Sequence, residues 1–109
     1  MDPILINIAV DFTDAPGARD RTDGENSAQE FYEDILKPNF EQALAENRKV
    51  LIDFDNSWGY ASSFISGTFS RLTDEFGKKR VLDTLQFKSD DDDTLIDKVV
   101  AEIKKSSNE

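Results

Sequence analysis

Apolar residues in this chain recur with two different periods, and the switch between them marks out the elements. From Ile4 to Phe12, Ile4, Ile6, Ile8, Val10 and Phe12 alternate with Leu5, Asn7, Ala9 and Asp11. That period of two, rich in β-branched residues, predicts a strand over the whole segment. Thr13 to Asn26 has no periodicity and carries Pro16, Gly17 and Gly24, so it reads as a long loop, with Arg19 and Arg21 its only positive charges. Ser27 followed by Glu30 has the spacing of a capping box. Behind it Phe31, Ile35, Leu36, Phe40 and Leu44 recur at helical intervals. The helix they predict ends near Asn47 and is kinked or divided at Pro38, which has no N–H to donate.

Lys49 to Asp55 is a short apolar run that breaks into carboxylates, as a central buried strand does at its end. Ile65, Phe69, Leu72 and Phe76 predict a second helix that starts near Ser62 or Ser63 and stops at Gly77. Thr84 to Lys88 alternates again. After Asp90 to Asp93, Leu95, Ile96, Val99, Val100 and Ile103 predict a last helix, with acidic residues at its positive end and Lys104 and Lys105 at its negative end. The βαβαβα order predicts an α/β fold with a mostly parallel or mixed sheet covered by helices. It is read as one domain over residues 1–105, followed by a disordered tail from Ser106 to Glu109.

Composition narrows the chemistry. The 109 residues suffice for one modest core. They include no Cys and no His, which removes thiolate chemistry, the usual zinc sites, and catalysis by Ser/His/Asp or Cys/His. No apolar run approaches the ~20 residues that span a bilayer, and the start lacks the basic region of a signal peptide, so a cytoplasmic location is expected. Thirteen Lys and Arg against 23 Asp and Glu leave a formal charge of −10, which repels nucleic acid and anionic membrane and favours a partner with a basic face.

Few constellations remain. Asp53 and Asp55, one residue apart at a strand end, fit the start of a metal-dependent phosphohydrolase, but no partner set follows them. Asp90 to Asp93 lacks the spaced oxygens and turn glycine of a calcium loop and reads as a helix-capping run. Neither a metal nor a cofactor is expected, and nucleotide binding at a helix start is opposed by the charge. Trp58 and Tyr60, beside Gly59, suit an exposed aromatic contact or local packing. Ser62 and Ser63 stand where a strand turns into a helix; one hydroxyl is expected to cap the helix, and a phosphate there would meet free backbone N–H groups.

Five pieces carry a resemblance: Ala15 to Arg19, Asp23 to Ser27, Ile35 to Pro38, Lys49 to Asp55 and Gly59 to Phe64. In this order they resemble the STAS-like family of unknown function, with a span from about Ile4 to Phe87. That family is similar to STAS domains, among them bacterial anti-sigma-factor antagonists, which bind a kinase-like ATPase and are switched off by phosphorylation of a serine at this turn. The resemblance implies that Ser62, followed by Ser63, is the counterpart. Those antagonists carry Asp before the serine and Gly after the pair, where this chain has Ala61 and Phe64. The expectation is a non-enzymatic regulatory module that docks a protein, such as a histidine-kinase-type ATPase, through Trp58, Tyr60, Ser62, Ser63 and Phe64. Two alternatives stand beside it: an acidic inhibitor or immunity-type protein on a basic partner, and the phosphohydrolase built on Asp53 and Asp55.

Overall fold

The computed structural model describes residues 2–109. Strand β1 (Ile4–Asn7) is shorter than the alternation predicts, because the chain leaves the extended conformation at Asn7 and forms a single helical turn, α1 (Ile8–Asp11). Asn7 Oδ1 accepts the Val10 N–H at 3.2 Å, while the Asn7 N–H donates to Asp11 Oδ2 at 2.8 Å. This reciprocal pair satisfies the turn's free ends and overrides the strand pattern.

The long loop is pinned at many points rather than loose. Arg19 donates to Ser66 Oγ at 2.9 Å, Arg71 pairs with Asp20, and Arg21 pairs with Glu33 and Asp34, so the loop's positive charges are engaged locally. Arg21 lies in a short 3₁₀ turn (Arg21–Asp23). Ser27 caps α2 (Ala28–Phe31) as its spacing predicts, accepting the Glu30 N–H at 3.0 Å.

The helical rod divides beside Pro38, as the sequence allows. The rod widens through a π-helical turn (Tyr32–Leu36) and then continues as α3 (Lys37–Glu46), which places Pro38 in a first turn where no N–H is needed. Asn39 Nδ2 donates to the Ile35 carbonyl at 2.8 Å, satisfying an acceptor beside the irregularity. The rod ends at Asn47 in the left-handed conformation, φ 55°.

Strand β2 (Val50–Asp53) lies between β1 and β3 (Leu85–Lys88), and both pairings are parallel. The rows Ile4, Val50, Leu85 and Ile6, Ile52, Phe87 run across the sheet in register. They face the core, where Phe31, Phe40, Phe64, Phe69, Leu72 and Ile103 are fully buried. The opposite face carries Leu5, Leu51 and Gln86. Helix α4 (Ser62–Phe76) ends at Gly77, as the sequence predicts. No helix among the described residues is long and apolar enough to cross a membrane.

Two further findings differ from the sequence reading. Lys78 to Thr84 forms a further helix, α5 (Lys78–Thr84), whose apolar positions are too few to show a period; it runs directly into β3. The tail beyond α6 (Leu95–Lys104) folds back against the ends of α4 and α5. Its Asn108 side chain donates to the Thr73 and Asp74 carbonyls at the end of α4, at 3.2 and 2.8 Å. Its backbone carbonyls at Asn108 and Glu109 accept the first N–H groups of α5. The tail therefore serves as a shared cap for both helix ends. Gly77 is required at the crossing: φ is +91°, and a Cβ would lie 2.8 Å from the Glu109 backbone.

Candidate functional site

The site lies at the carboxyl end of the parallel sheet, where open α/β sheets place their ligands. Beyond β2 the Phe54 N–H still bonds to the Lys88 carbonyl at 2.8 Å, and then the chain turns away. Asp55 is 5% exposed. Its Oδ1 accepts the N–H groups of Asp90 and Asp91 at 2.7 and 2.9 Å, and its Oδ2 accepts Lys88 Nζ at 2.6 Å. Asn56, left-handed at φ 70°, donates its N–H to Asp91 Oδ2 at 2.8 Å. These bonds clasp the loop after β2 to the loop after β3. The Lys88 ammonium and the two amides hold the Asp55 carboxyl below its usual range. Asp55 and Asp90 in turn push the Lys88 ammonium well above its own.

Asp53 and Asp55 thus converge on a lysine. Lys88 Nζ lies 2.6 Å from Asp55 and 4.0 Å from Asp53, in the position a cation would need, and Asp53 Oδ1 is further occupied by the Asp55 N–H at 2.9 Å. Among the described residues no group of three or more His, Cys, Asp or Glu side chains is arranged to hold a metal ion. Lys88 was missed from the sequence because only the β2–β3 register brings it opposite Asp53.

Above the clasp opens a cleft of about 470 Å³ between the turn 57–62 and α6. Its apolar lining is Phe54, Tyr60, Ile65, Leu95 and Ala101. Trp58 stands at its edge with 88% of its surface exposed, and its backbone N–H is anchored on the Asp14 carbonyl at 2.8 Å. Tyr60 is turned inward: its hydroxyl donates to the Phe54 carbonyl at 2.8 Å, and the two rings meet edge to face with centroids 5.3 Å apart. Burial, reinforced by the charges of Asp53, Asp55 and Asp91, pushes this phenol up to about 12, so it remains a neutral donor.

The serine pair departs from expectation. The N-cap of α4 is Ala61, whose methyl offers no acceptor, and Ser62 is the first helical residue. Neither serine caps the helix. The Ser62 hydroxyl is exposed, lines the cleft and has no hydrogen-bond partner among the described residues. Ser63 instead donates to the Gly17 carbonyl at 2.8 Å, tying the long loop to α4. Phe64, grouped with the docking residues on sequence, is fully buried and packs among Phe12, Phe31 and Tyr60. Docking contacts from it are ruled out in this fold; it supports the turn from beneath.

The second wall was not foreseen. Leu95, Val99 and Ile103 bury one stripe of α6, and the neighbouring stripe brings Lys98, Ala101, Glu102 and Lys105 to the cleft. Asp92 accepts both the N–H and the hydroxyl of Thr94, at 2.9 and 2.7 Å, which braces the start of α6 and holds the Asp92 carboxyl low.

An α/β domain with an all-parallel sheet, a helix rising from the middle strand and a cleft at that junction defines the class. The chain belongs to the family described as STAS-like domain of unknown function (DUF4325), whose model matches residues 27–95. The match takes in β2, the turn, α4, β3 and both clasped loops. Ala15 to Arg19 and most of Asp23 to Ser27 lie ahead of it. No curated protein and no solved structure matches the chain.

Proposed function

We propose that this protein is a non-enzymatic regulatory module that binds a protein partner, a histidine-kinase-type ATPase, at the cleft between the turn 57–62 and α6. The observation that carries the reading is Trp58, the only exposed aromatic among the described residues, standing at the edge of an apolar cleft. Exposed Trp and Tyr side chains beside apolar pockets are the usual anchors of protein interfaces. The engagement of Asp53 and Asp55 by Lys88 supports binding over phosphoester chemistry.

Ser62 supplies the switch. At the first position of a 15-residue helix a phosphate is electrostatically welcome, so its −1.5 to −2 charge alters the docking face and not the fold. Calorimetric titration against the histidine-kinase-type ATPases of the same genome tests this. Trp58→Ala is expected to weaken binding about 30-fold, the effect of losing an interface anchor. Ser62→Asp should also weaken it, whereas Ser62→Ala should bind as wild type. Because Ser62 caps nothing, Ser62→Ala should change stability by less than about 0.5 kcal/mol. Equal affinity of wild type, Trp58→Ala and Ser62→Asp would refute the reading. The formal charge of −10 favours a second one, an acidic inhibitor on a basic partner, recognised by affinity that collapses with salt and ignores Ser62→Asp.

A further inference from the structure

Residues 14–17, which do not line the cleft, brace the turn that carries Trp58. They are held at both ends. Ahead of them the Thr13 N–H donates to the Ile8 carbonyl at 2.8 Å, and behind them the Ala18 carbonyl accepts the Ala28 N–H at 2.8 Å. Pro16, in the middle, is buried, and its ring fixes φ. Two carbonyls of this segment reach the turn. That of Asp14 accepts the Trp58 backbone N–H at 2.8 Å, and that of Gly17 accepts the Ser63 hydroxyl at 2.8 Å. The first is the only hydrogen bond that ties Trp58 to another segment among the described residues. The next residue, Gly59, has φ +131° and open space where a Cβ would stand, so the turn has a point beside Trp58 about which it can swing. Ser62 lines the cleft, whereas Ser63 does not.

We infer that Ser63 is a positioning residue for docking: by latching segment 14–17 to the first turn of α4 it fixes the Asp14 carbonyl, and through that carbonyl the posture of Trp58. This inference rests on the docking reading above and adds to it a residue that acts without touching the partner. The physical gain is preorganisation. An exposed indole beside a glycine loses freedom of motion when it docks, and a turn already fixed in the free protein has less to lose. The two serines thereby divide the work. Ser62 faces the cleft and bonds to nothing in the fold, while Ser63 faces the loop and holds the anchor in place.

The test begins with the free protein. Time-resolved fluorescence anisotropy of Trp58, the only tryptophan, reads the amplitude of its fast motion. Ser63→Ala, a change that a helix tolerates, should raise that amplitude, and Ser63→Thr, which keeps the donor, should restore the wild-type value. An amplitude unchanged in Ser63→Ala would overturn the inference and leave the docking reading standing. Calorimetric titration against a histidine-kinase-type ATPase that binds the wild type then shows whether the effect reaches docking. Ser63→Ala should weaken binding about three-fold, and should weaken it no further in a Trp58→Ala background, because the two residues act as one. A loss that persists in that background would mean that Ser63 meets the partner itself, which removes the positioning role but not the docking reading. Trp58→Ala that binds as wild type would overturn both.

Discussion

Phe64→Ala is expected to lower the stability of this protein by about 3–5 kcal/mol, the range for deleting a buried phenyl ring. Phe64 is fully buried, and its ring centroid lies 5.7 Å from Phe31, 6.1 Å from Tyr60 and 6.3 Å from Phe12. Its removal leaves a cavity beneath the very turn that carries Trp58, at the point where α1, α2 and α4 converge. Trp58→Ala provides the internal contrast, because an indole that is 88% exposed contributes little to folding, and its loss should cost less than about 0.5 kcal/mol. Urea denaturation of the two variants reads both values. A loss under about 1 kcal/mol for Phe64→Ala would mean that the turn's side chains are not divided between core and surface as described.

The second large effect belongs to the clasp. Asp55→Ala removes the acceptor of two backbone N–H groups and the closest partner of Lys88, and so opens the clasp between the loops after β2 and β3. Charge-assisted bonds to a buried carboxylate are worth more than neutral ones, and a loss of about 2–4 kcal/mol is expected. The effect depends on pH in a fixed direction. The Asp55 carboxyl is held below its ordinary value of 3.8 in the folded state, chiefly by the Lys88 hydrogen bond and then by the Asp90 and Asp91 amides. Its stabilisation is therefore complete above that ordinary value and disappears as pH falls through the lower folded value. The stability gap between wild type and Asp55→Ala should be full at neutral pH and should shrink in acid. Taking the difference cancels the other carboxyls held low, those of Glu33, Glu46, Glu75 and Asp92, which both proteins share. A gap that stays constant with pH would assign the loss to packing instead of charge.

Which parts of this arrangement a sequence reveals follows from the range of the forces involved. The helix start at Ser27, the stop at Gly77, the buried strand Val50–Asp53 and the apolar stripe of α6 rest on neighbours a few residues away, and each was legible. The overlong first strand was a contest between two local signals, in which the Asn7 and Asp11 bonds outweighed alternation. The serine pair lies one residue past the cap: a cap depends on which residue keeps extended dihedral angles, and here that residue is Ala61. Trp58, Tyr60 and Ser62 are recognisable as neighbours of a strand-to-helix turn, but their companions in the cleft, from Asp91 to Lys105, lie 29 to 47 positions away in the chain. Lys88, the hub of the clasp, became visible only through strand register. The tail gave no signal because its role is to cap helices that lie about 30 residues before it.

The proposal that the protein works through the edge of the cleft can be tested most directly by the emission of Trp58, the only tryptophan in the chain. In the free protein the indole is exposed to water, so its emission should be red-shifted and strongly quenched by acrylamide. Titration with a histidine-kinase-type ATPase that binds the protein should shift the emission to the blue and protect it from the quencher, with the midpoint matching calorimetry. Binding that saturates while Trp58 stays red-shifted and open to acrylamide would contradict the account and move the docking surface elsewhere on the fold.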